Sequence, residues 1–585
     1  MKHTLIAASI FAGLSGQALA ATYQLTELPR HEGAVHSIVS DANENGQIIG
    51  AATRLFNLPI DVSYIDFDKD GTAIKAAYDE EKRRYELIDE TITFTLEDVK
   101  NGAASTNADA NNFMLGFLSR QSNSAEYQKL TDRIALTVSP TFADEKVLFD
   151  VQSSELNSLT RSVGNNLAAI SDDGVIVGWG SAPFSKTEFT PKDENEAKTF
   201  FVRDWSYRGI VINTAGEKFT LEPAFTEHGG ASIATDIQRL ETGGYAVVGY
   251  ASVGITTQRQ EGYDDRCKGE DRPLQACVWL EERRVANLDG LPSFYDLRAY
   301  QWTLDDNFAV VSAKELGVGA VRKDNEDNTI YSAAMAINNS DIAAGYSITR
   351  FDNDINARVV PGYFKDGQFS EIGERDAWYK TGKAVDINNN NVVVGHRAEV
   401  SRSTIQKAVG FYYDINADKF TDIPTYFNGS EMVINDINDA GYVVGQGEIE
   451  KNGNNQRREG FIYKLGDENI VNINSLLPCK DASGQTFPYT IAEAVKITES
   501  NEIYAIAVKT VERRDRLGAV EKNSKGEIEY ESATLPVLLT PTNGEVEQCA
   551  APEVETYERQ SGSFSVFAFL TLPLVWLRRR KLKIA

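Results

Sequence analysis

The sequence lacks the short motifs that mark the commonest hydrolases and nucleotide-binding enzymes. It contains no Gly-x-Ser-x-Gly nucleophile elbow, no His-Glu-x-x-His zinc motif and no Gly-x-x-x-x-Gly-Lys phosphate loop. Only five of the 585 residues are histidine, and they are scattered: His3, His31, His36, His228 and His396. These absences argue against an enzyme whose active site is encoded locally, and they predict no catalytic residue.

Positive charge is also scarce. The chain has 59 Lys and Arg residues against 85 Asp and Glu, which gives a formal net charge of −26. Such a surface repels phosphate backbones and anionic membranes, so we do not expect a nucleic-acid partner.

Cysteine is rare but even in number. Four cysteines allow two disulfides with three connectivities. We expect Cys267 to pair with Cys277 and close a small loop. We expect Cys479 to pair with Cys549 and join the last repeat unit to the C-terminal segment.

No apolar run is long enough to span a membrane comfortably, and the two longest lie at the chain ends. At the start, Lys2 precedes an apolar run that ends before the small-residue site Ala18-Leu19-Ala20. This order is typical of a secretory signal peptide at 1–20, cleaved before Ala21 by signal peptidase. The sequence therefore predicts export to an oxidising compartment.

At the other end, residues 564–577 form an apolar run interrupted by Pro573 and followed by a basic cluster at 578–583. The run covers only about 21 Å of a hydrocarbon core about 30 Å thick. With the small motif at 561–563, this tail resembles the GlyGly-CTERM sorting signal. That resemblance implies inner-membrane attachment by 561–585 and processing by a rhombosortase-type protease; a plain anchor helix is the alternative. Residues 551–560 are interpreted as a linker.

A repeat runs through the part of the chain between these ends. Asp386–Gly395 (DINNNNVVVG) recurs at Asp436–Gly445 and Asp41–Gly50. Weaker copies occupy 169–178, 236–249, 336–345 and 496–505, and a degenerate candidate occupies 303–312. In each copy, Asn or a similar residue at the third position can begin a turn, and the final Gly permits close backbone approach.

Further short strands follow each copy. Gly410–Tyr413 and Gly460–Tyr463 are examples, and Phe200–Val202 and Cys277–Trp279 are assigned the same role. The unit of about 50 residues is typical of a four-stranded propeller blade. The sequence therefore predicts an all-β fold over 21–550, a β-propeller of about seven four-stranded blades, with six or eight as alternatives. Tyr23–Leu28 precedes the first full copy, so it is predicted to complete the last blade and close the ring.

The repeat resembles the HAF-type extracellular repeat, with its Ile-Asn-x-x-Gly-x-Val-Val-Gly core. With leader and tail, the chain is similar to an exported family of Gram-negative bacteria, a domain of unknown function. This resemblance implies the architecture and supplies no catalytic residues.

Two stretches, 51–165 and 251–275, do not fit the repeat and are predicted to be insertions, the first partly helical. Insertions in repeat folds gather on one face, which is often the binding face. Within the first, Asp66, Asp68 and Asp70 precede Gly71, and carboxylates on alternate residues can bind calcium. An acidic turn without metal is the favoured alternative.

These features favour a non-enzymatic binding or surface-interaction propeller with an unknown protein or glycan ligand. A secreted hydrolase or lyase whose acidic and histidine residues meet only in the fold is one alternative. A calcium-stabilised structural component of the cell envelope is another.

Overall fold

Each of the seven clearer repeat copies forms a β-hairpin that supplies the two inner strands of a sheet. In the computed structural model, which describes residues 22–284, 294–323, 326, 329–350, 357–373, 379–400, 406–450 and 457–549, seven sheets have four antiparallel strands each. Neighbouring sheets pack face to face around a closed ring. The predicted seven-bladed, all-β propeller is confirmed.

The chain begins with β1 (Thr22–Glu27) and then forms the blades in order, each from its innermost strand outward. Blade 1 contains β2 (Ala34–Ala42), β3 (Ile48–Leu55), β4 (Arg133–Val138) and β5 (Ala143–Lys146); a short hairpin of β6 (Gln152–Ser153) and β7 (Ser158–Leu159) follows. Blade 2 contains β8 (Asn165–Ile170) and β9 (Ile176–Gly180), then the separate hairpin of β10 (Ser185–Phe189) and β11 (Lys198–Val202), then β12 (Arg208–Ile212) and β13 (Lys218–Leu221). Blade 3 contains β14 (Ser232–Arg239), β15 (Tyr245–Gly254), β16 (Asp296–Leu304) and β17 (Val310–Gly317).

The remaining blades are more regular. Blade 4 contains β18 (Ser332–Ile337), β19 (Ala343–Arg350), β20 (Ala357–Lys365) and β21 (Gln368–Glu371). Blade 5 contains β22 (Tyr379–Ile387), β23 (Val392–Val400), β24 (Gln406–Asp414) and β25 (Lys419–Asp422). Blade 6 contains β26 (Met432–Ile437), β27 (Tyr442–Glu448), β28 (Arg458–Lys464) and β29 (Val471–Asn472). Blade 7 contains β30 (Thr490–Ile497), β31 (Ile503–Glu512) and β32 (Tyr530–Thr542).

Strand β1 closes the ring. It pairs antiparallel with β32, from Thr22 opposite Thr542 to Glu27 opposite Val537, and so becomes the outermost strand of blade 7. The first described strand and the last therefore share one sheet, and the predicted closure is confirmed.

In six of the seven blades, the glycine that ends the repeat lies opposite a bulge in the innermost strand, whereas blade 7 has Ala505 at this position. In blade 5 the pairing of β22 with β23 shifts between Ala384 and Asp386, and a Cβ on Gly395 would lie 2.2 Å from the Lys383 carbonyl oxygen. The corresponding glycines at 50, 178, 249, 345 and 445 would place a Cβ 1.9–2.1 Å from a carbonyl oxygen. No side chain fits at such a distance, so glycine permits the strands to meet.

The asparagine of the repeat closes the turn and also joins neighbouring blades. Asn388 Oδ1 accepts hydrogen bonds from the backbone N–H groups of Asn390 (3.1 Å) and Val392 (2.9 Å). Its Nδ2 donates to the carbonyl oxygen of Asn438 in blade 6 (3.1 Å). Equivalent inter-blade bonds run from Asn43 to Ser171, from Asn338 to Asn388 and from Asn438 to Thr498. The turn prediction holds, and the structure adds a polar bond between blades.

Among the described residues, five helices lie outside the blades: α1 (Ala73–Leu87), α2 (Leu96–Lys100), α3 (Ala108–Arg120), α4 (Thr257–Arg266) and α5 (Leu274–Arg284). Short 3₁₀ turns occupy Ala103–Ser105, Glu227–Gly229 and Ile473–Leu476. None of the helices within the described ranges is long and apolar enough to cross a membrane. The predicted signal peptide at 1–20, the linker at 551–560 and the tail at 561–585 lie outside the described residues.

Two strand predictions were wrong, and the insertion bounds differ from those predicted. Phe200–Val202 lies in the separate hairpin β10–β11, and Cys277–Trp279 lies in helix α5. A short apolar run does not distinguish a strand from a buried helix, which explains the second error. The predicted insertion 51–165 includes part of β3 and all of β4 and β5, so the added chain in blade 1 is 56–132. The predicted insertion 251–275 includes the last four residues of β15, and the connection between β15 and β16 extends over 255–295.

Candidate functional site

The long connections of the propeller share one face. In every blade the link between the second and third strands leaves on the side opposite the repeat turns, because the strands alternate in direction. Four such links are long, and they belong to consecutive blades 7, 1, 2 and 3: residues 513–529, 56–132, 181–207 and 255–295. We call this side the insert face. Sequence reasoning identified two of these four insertions.

The blade 1 insertion is a small helical unit with its own core. Phe67, Phe94, Val99 and Phe113 are buried together with the apolar side of α3. Helix α3 begins at an Asn107 N-cap, whose side chain accepts from the Ala110 N–H (3.0 Å). This insertion is therefore ordered by packing and capping rather than by the blades beneath it.

The insertions of blades 1, 2 and 3 pack against one another. Their shared apolar cluster contains Ala125, Phe200, Val202, Ala276 and Trp279. The Cys267–Cys277 disulfide is present and joins α4 to α5, with the two Cα atoms 5.5 Å apart. No cysteine in the described part of the chain is free. The insert face is thus a connected layer.

A large cleft lies at the seam between blades 1 and 7, where residues of the insert face meet the turn between β4 and β5. Its volume is about 1110 Å³, and it is lined by residues 29–35, 141–143, 510–512 and 530–531, with Phe56 and Arg514. Phe142 and Tyr530 line it with 53% and 62% of their surfaces exposed. Burial lowers the pKa of His31 in the wall, so its imidazole is neutral at neutral pH.

The blade 7 insertion is held against blade 1 across this seam. The Asn57 N–H donates to the Arg516 carbonyl oxygen (2.9 Å), and Asn57 Nδ2 donates to the Leu517 carbonyl oxygen (3.0 Å). Arg54 of β3 forms an ion pair with Glu531 of β32. The two walls of the cleft are therefore fixed relative to each other.

Two smaller chambers lie beside the helical insertion and share lining residues with the cleft or with each other. The lining of the narrow chamber, of about 160 Å³, is mixed in charge: it contains Arg54, Arg513, Arg514 and Arg516, the acidic residues Asp515 and Glu521, and Ala108, Asp109 and Asn112 at the start of α3. A third chamber of about 460 Å³ lies between Arg516 and the other side of α3. Arg514 lines the first two chambers and Arg516 the last two. We call these three chambers together the seam groove.

The predicted calcium ligands lie in the helical insertion, away from the seam groove. Asp66 Oδ1 accepts from the backbone N–H groups of Asp68 and Lys69 (both 3.0 Å), which lowers its pKa. Asp68 pairs with Lys100 (2.8 Å), and the carboxylate of Asp70 pairs with Lys75 (3.1 Å). Within the described residues, no group of three or more His, Cys, Asp or Glu side chains is arranged to hold a metal ion. Calcium binding stays a prediction.

A hydrolase or lyase site formed only in the fold would place His228 or His396 beside two carboxylates. The described residues do not show this arrangement. His228 Nε2 contacts Gln260 Oε1 (3.2 Å), and its ring packs on Tyr263. His396 Nδ1 is buried without a hydrogen-bond partner, and burial lowers the pKa of His396 to about 4. Both imidazoles lack a carboxylate hydrogen-bond partner in the part of the chain that the structure covers.

A buried polar cluster on the propeller axis escaped sequence reasoning. Asp41, Asp236, Asp386 and Asp436 occupy the first repeat position, directly after each bulge, and Lys496 occupies it in blade 7. Each aspartate accepts a hydrogen bond from a backbone N–H of the next blade, at 2.7–2.9 Å. We call these five residues the axial cluster. The recurring Asp at the first repeat position could have revealed the axial cluster. Sequence reasoning treated this residue as part of the turn that follows and gave it no role of its own.

The axial cluster contains one lysine and four aspartates, and the pKa values of several aspartates are raised. Lys496 Nζ lies 2.9 Å from Asp436 Oδ1 and 3.9 Å from Asp41 Oδ1. Burial raises the pKa of Asp41 to about 6 and that of Asp236 to about 7. Burial and the neighbouring Asp436 raise the pKa of Asp386 well above its usual range. The cluster joins blades and makes their association sensitive to pH.

Comparison with known proteins identifies a family but no activity. A family model described as "Protein of unknown function (DUF3466)" matches residues 1–580. No curated protein matches the chain in sequence.

Solved structures show weak likenesses. A protein of unknown function from Dyadobacter fermentans is 8% identical, with 66% of this chain and 94% of that one covered, at a TM-score of 0.31. The propeller domain of the Trilobed protease from Pyrococcus furiosus is 9% identical, with 90% and 99% covered, at 0.33. The phage phi92 endosialidase is 8% identical, with 91% and 72% covered, at 0.29. Scores this low carry no inference, and the fold assignment rests on the strand pairing itself.

Proposed function

This chain belongs to the DUF3466 family, and we propose that it is an exported binding propeller whose ligand occupies the seam groove. The observation that carries the proposal is the position of the large cleft among the connections of the insert face. Four consecutive blades build that face, and its walls are fixed across the seam. Surface loops on a rigid scaffold are the usual place for recognition in repeat folds.

The surroundings of His228 and His396 support binding rather than turnover. A general base needs hydrogen-bond reach to its substrate, and usually a partner that orients it. His228 and His396 lie in different surroundings and have no carboxylate partner among the residues described. The hydrolase or lyase alternative therefore gains no support at these two histidines; a third histidine, His31, lines the large cleft together with Glu32, Glu512 and Glu531.

Binding can be tested without knowing the ligand. The full chain is screened against glycan and peptide arrays, together with a variant carrying Phe142→Ser and Tyr530→Ser. Both rings are exposed, so the variant should fold. A control variant carries Leu87→Ser, which removes an apolar side chain that is 85% exposed and lies outside the seam groove. We expect binding that the groove variant loses and the control keeps. Binding unaffected by the groove variant, or specific turnover by the full chain, would reject the proposal.

The leader and tail support export, with signal peptidase and a rhombosortase-type protease as processing partners. Mass spectrometry of the mature protein tests this directly. We expect an N-terminus at Ala21 and a C-terminus near Gly562. An intact residue 1 would contradict export by the predicted leader, and an intact residue 585 would leave the tail as a plain anchor.

A further inference from the structure

Two arginines that each line two chambers of the seam groove, Arg514 and Arg516, have no ion-pair partner among the described residues, although acidic residues greatly outnumber basic ones in the chain. Arg514 Nη1 donates to the Gly518 carbonyl oxygen (2.7 Å). In the described ranges, neither Arg514 nor Arg516 has a carboxylate within ion-pair distance. Their neighbours are paired: Arg54 with Glu531, and Arg513 with Glu521 and Glu529. Arg514 and Arg516 therefore keep guanidinium donors available to a ligand.

These two arginines stand at the junctions of the groove. Arg514 lies where the large chamber meets the narrow one, and Arg516 lies where the narrow chamber meets the third. A ligand that extends along the groove passes both guanidinium groups. Guanidinium binds carboxylate through paired, charge-assisted hydrogen bonds, which suits a ligand with repeated acidic groups.

The turn that carries the arginines is held in place before a ligand arrives. Asp515 lies between them, and its Oδ1 accepts from the Leu517 N–H (2.8 Å) and the Ala519 N–H (2.9 Å). The Arg516 carbonyl oxygen is fixed by Asn57 of blade 1. The spacing of the two arginine backbones is therefore set by the fold, which reduces the backbone entropy lost on binding.

The large chamber supplies groups of a different kind. Phe142 and Tyr530 present exposed aromatic faces, on which the apolar faces of sugar rings can pack. Glu32 and Glu512 line the same chamber and offer oxygen acceptors. Sugar hydroxyls can donate to these carboxylates, whereas the ionised side chains of an acidic peptide have no hydrogen-bond donor to offer them.

We infer that the seam groove binds an acidic oligosaccharide, with carboxylates of the sugar chain on Arg514 and Arg516 and sugar rings against Phe142 and Tyr530. This inference rests on the proposed binding function and names its ligand class. Hydroxyl groups of the same chain face Glu32 and Glu512.

Calorimetric titration of the full chain with three probes tests the inference. The probes are an oligogalacturonate of about six units, its neutral methyl ester and a hexaglutamate peptide. We expect the oligogalacturonate to bind best and its affinity to fall as salt is raised. Arg514→Gln and Arg516→Gln should each weaken it about tenfold, the effect of losing one charge-assisted bond pair. Arg83→Gln, on the exposed side of α1, removes an equal charge outside the groove and should change little.

The outcomes separate the inference from the proposed function. Equal binding by the Arg514 and Arg516 variants and the wild type, or preference for hexaglutamate, would overturn the acidic-glycan inference. Binding of the neutral ester that depends on Phe142 and Tyr530 but not on the arginines would also overturn it, while leaving the groove as a binding site. Binding that depends on none of the two aromatic residues and two arginines would contradict both the acidic-glycan inference and the proposed binding function.

Discussion

Replacing Lys496 with Met removes the cation that balances the axial cluster. The side chain is 30% exposed, whereas that of its partner Asp436 is only 7% exposed, and the Lys496 Nζ contacts Asp436 and approaches Asp41. Methionine matches its length and apolar stem, so the substitution chiefly removes charge. The fold then holds four buried carboxyl groups with no ammonium group between them.

The expected loss of unfolding free energy can be estimated from these distances. Two unit charges about 4 Å apart interact by roughly 4 kcal/mol at an effective dielectric constant near 20. Removing one partner of a buried ion pair typically costs about 3–5 kcal/mol. We therefore expect Lys496→Met to lower the free energy of unfolding by about 3–5 kcal/mol at pH 8.

This loss of unfolding free energy should depend on pH, and the pKa values of the aspartates determine the direction of the dependence. Burial raises the pKa of Asp41 to about 6 and of Asp236 to about 7, whereas the unfolded chain releases these protons near pH ~4. The folded state binds more protons across this window, so stability falls as pH rises from about 4 to 7. The nearby carboxylates raise the pKa of Lys496, so the lysine stays charged throughout. The variant should lose less at pH 5, where more of the carboxyl groups are neutral.

Urea unfolding at pH 5 and pH 8, followed by tryptophan fluorescence, measures this difference. Lys509→Met is the matched control, because Lys509 pairs with Glu27 at the surface of the same blade (2.8 Å) and such pairs contribute at most about 1 kcal/mol. An equal loss at both pH values, or a loss at pH 8 no larger than that of the control, would refute the electrostatic role of Lys496.

Three further predictions concern the repeat, the disulfide and calcium. Gly395→Ala should lower the free energy of unfolding by about 1–3 kcal/mol, because its Cβ would meet the opposite strand, whereas Gly254→Ala, in open space, should change it little; equal unfolding curves for the two would contradict the role of the bulge. Replacing Cys267 and Cys277 with Ala should increase proteolysis within the blade 3 insertion, because the link between α4 and α5 is lost; unchanged cleavage would show that packing alone holds the helices. If the loop 66–71 binds calcium, calcium should raise the thermal midpoint of unfolding above that in chelator, and identical midpoints would end the calcium hypothesis.

The fold was predictable because the repeat encodes local constraints that recur. The turn asparagine, the final glycine and the Val-rich strand between them each have a physical reason visible in one copy. Ring closure by β1 was also readable, because a strand without its own hairpin must pair elsewhere. The roles of Asp386 and Asp436 were not readable, since they depend on the backbone of the next blade.

The insert face was predicted only in part. The helical pattern of 73–87 marked the blade 1 insertion, but the insertion at 181–207 contains strands that read like blade strands. The blade 7 insertion is short and polar, so nothing in its sequence separates it from an ordinary hairpin. The seam groove joins residues about 480 positions apart, such as Arg30 and Arg514, and only the closed ring brings them together.

The central claim is that ligand binds in the seam groove of the insert face. Hydrogen–deuterium exchange of the full chain, with and without the tightest-binding probe, tests it most directly. We expect slower exchange at residues 29–35, 141–143 and 510–516, and unchanged exchange at the repeat turns 43–46 and 388–391 on the opposite face. Protection at those turns, with none at the seam, would contradict the account.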